Sequence, residues 1–211
     1  MRAKKTRFRL TALVLVLAVA VGALIGTAIG KYVLQADPLN ATVHFSAKLA
    51  ENMKLVEHQA VRQNDGSYEL NGTEVTVNSY ELIPGLDVEK DPYISITGKT
   101  PLAAYLYLEV TDGLGASSGI TYTLESHWIK LSEQTNADSS VTTVYVYGSG
   151  GTAVTINDQT TGLGEIGILQ DDVVYVSQKL NKNAANLPLS FGARMIEAAN
   201  RTAQVAYEAA A

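Results

Sequence analysis

Short segments of β-type sequence, separated by turn residues, fill this chain from residue 40 onward and restrict its fold more than any other feature. The segments are rich in Val, Ile, Thr and Tyr, and they cover residues 42–49, 53–61, 93–97, 103–111, 120–124, 128–131, 141–147, 153–156, 173–180 and 187–195. Nine to eleven strands at this spacing, with no helical stretches between them, predict an antiparallel β-sandwich and not βαβ units. Only residues 196–210, rich in Ala and Glu, predict a helix.

Several local patterns add detail to this all-β prediction. Asn71-Gly72 stands between two β-type segments, and this dipeptide favours the positive φ angles of a type I′ turn, so it predicts a tight hairpin. Residues 103–110 are apolar at successive positions, which predicts a central strand that is covered on both faces. Pro84-Gly85 and residues 148–151 predict turns. Trp128, the single tryptophan, is interpreted as a core or rim anchor.

The N-terminus has the pattern of an exported protein. Five cations within the first nine residues precede an uncharged, mostly Leu, Val and Ala stretch at residues 10–29. A helix of that length reaches about 30 Å and spans a bilayer, while the cations stay on the cytoplasmic side. We therefore predict a signal peptide or membrane anchor at residues 1–30, followed by a single β-sandwich domain at residues 31–211.

Whether the apolar segment is removed stays open at this point. Small residues at positions 26–30 favour cleavage by a signal peptidase, and the length of the apolar run favours a retained anchor. In both cases the domain is expected outside the cytoplasm, secreted or at the cell surface, with membrane contact only through the N-terminal segment. The N-terminal residue of the mature protein distinguishes the two.

Composition excludes several classes of function. Outside residues 1–30, 11 Lys and Arg stand against 21 Asp and Glu, a net charge of −10 that disfavours binding to nucleic acid or anionic lipid. The chain has no Cys. His44, His58 and His127 lie in separate segments without zinc-ligand spacing, and no nucleophile or phosphate-loop motif is present. We expect no catalytic residues, no metal and no cofactor, and hence no enzyme activity.

One stretch resembles a known family. Residues 80–96 read YELIPGLDVEKDPYISI, and residues 104–110 read AYLYLEV. These segments resemble the TasA/camelysin family of exported Gram-positive proteins, in which a Pro-Gly turn and an Asp-Pro pair precede an aromatic-rich central strand. The matching positions are Tyr80, Leu82, Pro84, Gly85, Asp91, Pro92, Tyr105, Leu106 and Glu109. The junction after the apolar run, GTAIGKY, departs from the family pattern.

The resemblance implies a jelly-roll sandwich, processing by a dedicated signal peptidase, and assembly into fibres of the biofilm matrix. The N-terminal segment suits such assembly, because residues 31–40 have no core pattern and residues 42–49 alternate in hydrophobicity. A strand of this kind can complete the sheet of a neighbouring subunit and give a head-to-tail homopolymer, or it can pair within its own domain. The predicted donor residues are Val43, Phe45, Ala47 and Leu49.

Three functions follow from these features, in order. The first is a structural subunit of a cell-surface or biofilm-matrix fibre. The second is a membrane-tethered surface binding module whose loops at residues 136–140 and 148–151 meet a ligand. The third, a secreted metalloprotease as camelysin has been called, ranks last because the sequence supplies no ligand set.

Overall fold

The computed structural model describes residues 42–45 (main chain only), 53–97, 102–115, 117–157, 164–181 and 189–210. The predicted signal or anchor segment lies outside these residues. The strands in chain order are β1 (Thr42–Phe45), β2 (Met53–Arg62), β3 (Tyr68–Val75), β4 (Val88–Glu89), β5 (Tyr93–Ile96), β6 (Ala104–Asp112), β7 (Ile120–Thr121), β8 (Trp128–Thr135), β9 (Val141–Ser149), β10 (Thr152–Ala153), β11 (Glu165–Gly167), β12 (Val173–Val176) and β13 (Leu189–Glu197). A short helix, α1 (Ala203–Glu208), follows β13. The prediction of a mainly β chain with a short C-terminal helix is confirmed.

The largest sheet contains six strands in the order β1-β13-β6-β9-β10, with β8 also paired to β9. Strand β6 lies between β13 and β9 and pairs antiparallel with both. Leu106, Tyr107 and Leu108 of β6 are fully buried. The predicted central, covered strand at residues 103–110 is therefore confirmed.

Both faces of the large sheet are covered. On one face, Tyr107 packs with Val144, Val146 and Ala203, so that α1 closes over the sheet. The Tyr107 hydroxyl donates to the main-chain oxygen of Ala203 at 2.8 Å. The alternate residues of β6 and β13, such as Leu108 and Phe191, are buried on the opposite face, as strand geometry requires.

The remaining strands form two smaller antiparallel sheets, with orders β11-β5-β2-β3 and β4-β12-β7. Leu55 of β2 and Ile94 of β5 are almost completely buried and belong to the core of the sandwich-like fold. Trp128 is 6% exposed, and its indole Nε1 donates to the main-chain oxygen of Gly167 at 2.9 Å. It acts as the core anchor that the sequence predicts.

The predicted hairpin at Asn71-Gly72 is wrong. These residues lie inside β3, and the turn that joins β2 to β3 closes at residues 63–67, where the Gln63 amide donates to the Ser67 oxygen at 2.8 Å. The β2–β3 register shifts between His58 and Ala60, so Gln59 alone opposes residues 71–73. The Asn71 side chain accepts from the Thr73 amide at 2.9 Å and fixes this bulge. Asn-Gly here serves a bulge and not a turn.

One pairing also differs from the antiparallel prediction. Strand β1 lies parallel to β13, with Thr42 opposite Gly192 and Phe45 opposite Met195. Parallel partners need a long connection, and here almost the whole domain separates the two strands. The direction of β1 is therefore free of any hairpin constraint.

Candidate functional site

The edge of the large sheet is the first candidate site. Strand β13 pairs with β6 along its whole length, and β1 pairs with the central part of its other side. The register places two predicted donor residues, Val43 and Phe45, opposite Ala193 and Met195, which are 0% and 2% exposed. The predicted donor residues Ala47 and Leu49 lie outside the described residues. Four residues of β1 thus occupy an edge that would otherwise present free main-chain groups.

The family-like segment begins with the turn that the sequence predicts. The Leu86 amide donates to the Ile83 oxygen at 3.0 Å, with Pro84 and Gly85 in the central positions. Gly85 has φ +80°, the left-handed conformation that a type II turn requires at its third residue. The chain then enters β4 and reaches Lys90 and Asp91, next to β2.

Lys90 and Asp91 contact two neighbouring residues of β2. Lys90 Nζ lies 2.6 Å from Glu57 Oε2, and the two side chains are 9% and 0% exposed. The Lys90 ammonium also lies 5.3 Å from the ring centre of Tyr80, within range of a cation–π contact. Asp91 accepts from the main-chain amide of His58 at 2.9 Å. We call these four residues, Glu57, His58, Lys90 and Asp91, the β2 clasp.

We expect the second pair of the clasp, His58 and Asp91, to respond to pH. His58 Nδ1 lies 2.5 Å from Asp91 Oδ2, with the two side chains 28% and 14% exposed. The hydrogen bond to Asp91 raises the pKa of His58 above its usual value, burial opposes it, and the charges of Asp91, Glu165 and Glu74 add to the rise. A raised folded-state pKa stabilises the fold fully below the unfolded pKa of about 6.5, and this contribution is lost as pH rises through the folded-state value.

We therefore expect His58→Gln to lower the unfolding temperature more at pH 6 than at pH 8.5, measured by circular dichroism. The Asp91→Asn variant keeps His58 but removes the carboxylate that raises its pKa. In this variant the unfolding temperature should depend less on pH than in the native chain. A loss from His58→Gln that is equal at the two pH values, or larger at pH 8.5, would contradict the role of this pair.

The other family-motif residues are also structural. Tyr80 and Leu82 are buried, and Tyr80 meets Tyr68 edge to face at 5.0 Å between ring centres. Pro92 is among the fully buried residues, and its oxygen accepts from the Ile168 amide at 3.0 Å. Burial and local contacts are thus the roles that the structure shows at these positions.

The motif residues of β6 fasten the C-terminal segment to the large sheet. Tyr105 donates to the main-chain oxygen of Arg201 at 3.0 Å. Glu109 Oε1 lies 2.9 Å from Arg194 Nε and accepts from the Tyr207 hydroxyl at 2.9 Å, which ties β6 to β13 and α1. Leu106, the third motif residue of this strand, is fully buried.

A groove of about 670 Å³ runs beside the first half of β2. Its walls are residues 53–56 and 74–77. Residues Met53–Val56 pair with β5 on one side, whereas the pairing with β3 begins only at Glu57, opposite Val75. Within the described residues, this half of β2 has no strand partner on its second side. It is a second place at which a strand could add to a sheet.

The two histidines with described side chains, His58 and His127, have different partners. His58 is engaged with Asp91, and His127 Nε2 lies 2.9 Å from the Gly167 oxygen, beside Trp128. The side chain of His44 is not described. In the described part of the chain, no group of three or more His, Asp or Glu is placed to hold a metal ion. The expectation that the protein is not an enzyme stays a prediction.

Two further findings bear on identity. Comparison with family models, curated proteins and solved structures gave no match for this chain. Among the described residues, which exclude 1–41, no helix is long and apolar enough to cross a membrane. The family resemblance and the predicted export therefore stay hypotheses.

Sequence reasoning missed the β2 clasp. It named Asp91 as a motif residue and considered His58 only as a zinc ligand, and it did not name the pair Glu57–Lys90. A signal was available, because Glu57-His58 and Lys90-Asp91 are adjacent pairs of complementary charge. Sequence alone does not show that the two pairs meet, because this depends on β2 lying beside Lys90 and Asp91.

Proposed function

We propose that this protein is an extracellular structural protein, a subunit of a cell-surface or biofilm-matrix fibre that assembles by donor-strand complementation. The observation that carries the proposal is β1, a four-residue strand that pairs in parallel with β13 and forms the edge of the large sheet. The jelly-roll topology and membership of the TasA/camelysin family are parts of the same proposal, and they are supported by the motif at residues 80–110.

Exchange of β1 between subunits needs no new surface. In a homopolymer, β1 of one chain meets the same β13 edge on its neighbour, with the same register and the same main-chain hydrogen bonds. The choice between intrachain and interchain pairing then depends on tether geometry and subunit concentration. Because the donor and acceptor surfaces differ, the contact repeats head to tail and extends as a filament.

The tether limits how the subunits can be arranged. Seven residues, 46–52, separate β1 from β2. A fully extended chain of that length reaches roughly 25 Å. The β13 edge of the acceptor subunit must therefore lie within that distance of Met53 of the donor, which requires closely stacked subunits.

A disulfide test decides where β1 pairs, because the chain has no cysteine of its own. Val43→Cys and Ala193→Cys are placed at directly opposed register positions. We expect oxidised fibres of the double variant to give a ladder of covalent oligomers in denaturing gels without reductant, while each single variant gives at most dimers. A double variant that forms fibres and yields only an internally bridged monomer would refute donor-strand exchange.

A surface binding module, tethered by residues 1–30, is the second candidate. It is favoured by a cleft to which Ser139, from the predicted binding loop at residues 136–140, contributes. The other predicted loop, residues 148–151, is not among the described residues that line it. For a secreted metalloprotease, the described residues give no supporting observation.

A further inference from the structure

A second cavity of about 670 Å³ lies at the end of the large sheet where β6 ends and β9 begins. Its floor is formed by Glu133 of β8 and by Val141, Thr143 and Tyr145 of β9. Its described walls are formed by Asp112, Leu114, Gly115, residues 120–124 and Ser139. We call this cavity the tyrosine cleft. The size is typical of a small-molecule site.

The centre of the cleft floor is strand β9, which is paired on both sides. The strand register puts Val110 opposite Thr143, and Thr143 opposite Glu133, so the main-chain groups of β9 are engaged in ladders on both sides. Strand β8 is an outer strand among the described residues. A peptide that binds by adding a strand would need free main-chain groups. The centre of the floor therefore favours a ligand that is recognised through side-chain hydrogen bonds.

Hydroxyl groups dominate the lining. Six of the thirteen described lining residues carry one, namely Thr121, Tyr122, Thr123, Ser139, Thr143 and Tyr145. Asp112 and Glu133 add two carboxylates, which accept hydrogen bonds only. None of the described lining residues is Lys or Arg, and the two carboxylates disfavour an anionic ligand.

Hydrogen bonds hold the polar groups in place before any ligand arrives. Tyr122 donates its hydroxyl to Asp112 Oδ2 at 2.9 Å, while Asp112 Oδ1 accepts from the Leu114 amide at 2.7 Å. Burial and the adjacent Asp112 carboxylate raise the pKa of Tyr122, so its phenol stays protonated. Thr143 donates to Glu133 Oε2 at 3.4 Å. Lys130, outside the lining, is engaged with the same Glu133 oxygen at 2.7 Å.

We propose that the tyrosine cleft binds a neutral saccharide, with the ring of Tyr145 as the packing surface and the Asp112, Tyr122 and Thr143 groups as hydrogen-bond partners. A sugar has many hydroxyl groups, each both donor and acceptor, and it presents C–H faces that pack against aromatic rings. This combination matches a lining of hydroxyls, acceptor-only carboxylates and half-buried tyrosines. The proposal goes beyond the fibre function and does not rest on assembly.

Calorimetric titration of the full chain with cellotriose, maltotriose and triacetylchitotriose tests the proposal. Trigalacturonic acid serves as the anionic control and a tetra-alanine peptide as the peptide control. We expect at least one neutral trisaccharide to bind with a Kd of about 1 mM or tighter. Trigalacturonic acid should bind at least tenfold more weakly than that sugar.

Two variants locate the binding. Tyr145→Ala should weaken it at least tenfold, and Thr123→Trp, at an exposed wall position, should block it without touching the core. The matched control is Tyr175→Ala, since Tyr175 is 41% exposed and lies on β12. Both cleft variants should retain the fibre-forming behaviour of the native chain.

Several results would overturn the proposal. The first is that none of the three neutral sugars binds at a sugar concentration tenfold above the expected Kd. The second is that the Thr123→Trp variant and a folded Tyr145→Ala variant both bind the sugar as the native chain does. Preferential binding of trigalacturonic acid would exclude the neutral-sugar assignment. Binding of the tetra-alanine peptide with the same loss in both variants would replace the saccharide by a peptide ligand.

Discussion

Replacing Lys90 by Met should destabilise the folded domain by about 3–5 kcal/mol, the cost of leaving a buried carboxylate without its partner. Glu57 is fully buried, and Lys90 Nζ at 2.6 Å is its ion-pair partner. The other oxygen, Glu57 Oε1, accepts no hydrogen bond from the described residues. Loss of Lys90 therefore leaves the whole charge uncompensated in the core. Urea unfolding followed by circular dichroism measures the change.

Two further variants give this prediction its controls. Glu57→Leu combined with Lys90→Met should recover most of the lost stability, because removing both charges also removes their desolvation penalty. Lys54→Met breaks an exposed pair with Glu74, whose side chains are 60% and 44% exposed, and should leave the unfolding midpoint unchanged. If Lys90→Met unfolds at the same urea concentration as Lys54→Met, the clasp does not stabilise the fold.

Deleting residues 31–41 from the mature chain should abolish fibres and leave a soluble, folded monomer. Under the donor-strand proposal residues 31–49 are the segment that enters the neighbouring subunit, and the deletion removes the N-terminal part of that segment. Phe45→Asp should act in the same way, because it puts a charge at the register position opposite buried Met195. Electron microscopy with seeded growth measures assembly.

The control for the Phe45→Asp variant is a substitution that introduces the same charge at an exposed position of another strand. Val61→Asp, at a position 42% exposed on β2, should leave both folding and assembly unchanged. Circular dichroism distinguishes a folded, non-assembling variant from an unfolded one. Fibres of normal appearance from the deletion variant would refute donor-strand exchange, and a native chain that stays monomeric with seeds would favour the surface binding module.

Several elements could be predicted because their determinants are local. Strand β6 has apolar residues at consecutive positions, and this local pattern predicts a strand covered on both faces. Leu106, Tyr107 and Leu108 are indeed fully buried. The Pro84-Gly85 turn could be predicted because Pro fixes the φ angle of the second turn residue. Gly tolerates the positive φ, here +80°, of the third residue. The position of Asn71-Gly72 was not predictable in the same way, because a bulge and a turn use the same dipeptide. Pairing with β2 decided between them.

By itself, the sequence determined the β class, the central strand, the anchoring role of Trp128 and the C-terminal position of the helix. These properties depend on sequence patterns within about ten residues, because the burial of apolar side chains and local backbone preferences decide them. Tertiary structure alone decided three things: the parallel partner of β1, the pairing of Glu57 and His58 with Lys90 and Asp91, and the tyrosine cleft. Each joins residues at least twenty positions apart, and only the order and register of the strands bring such residues together.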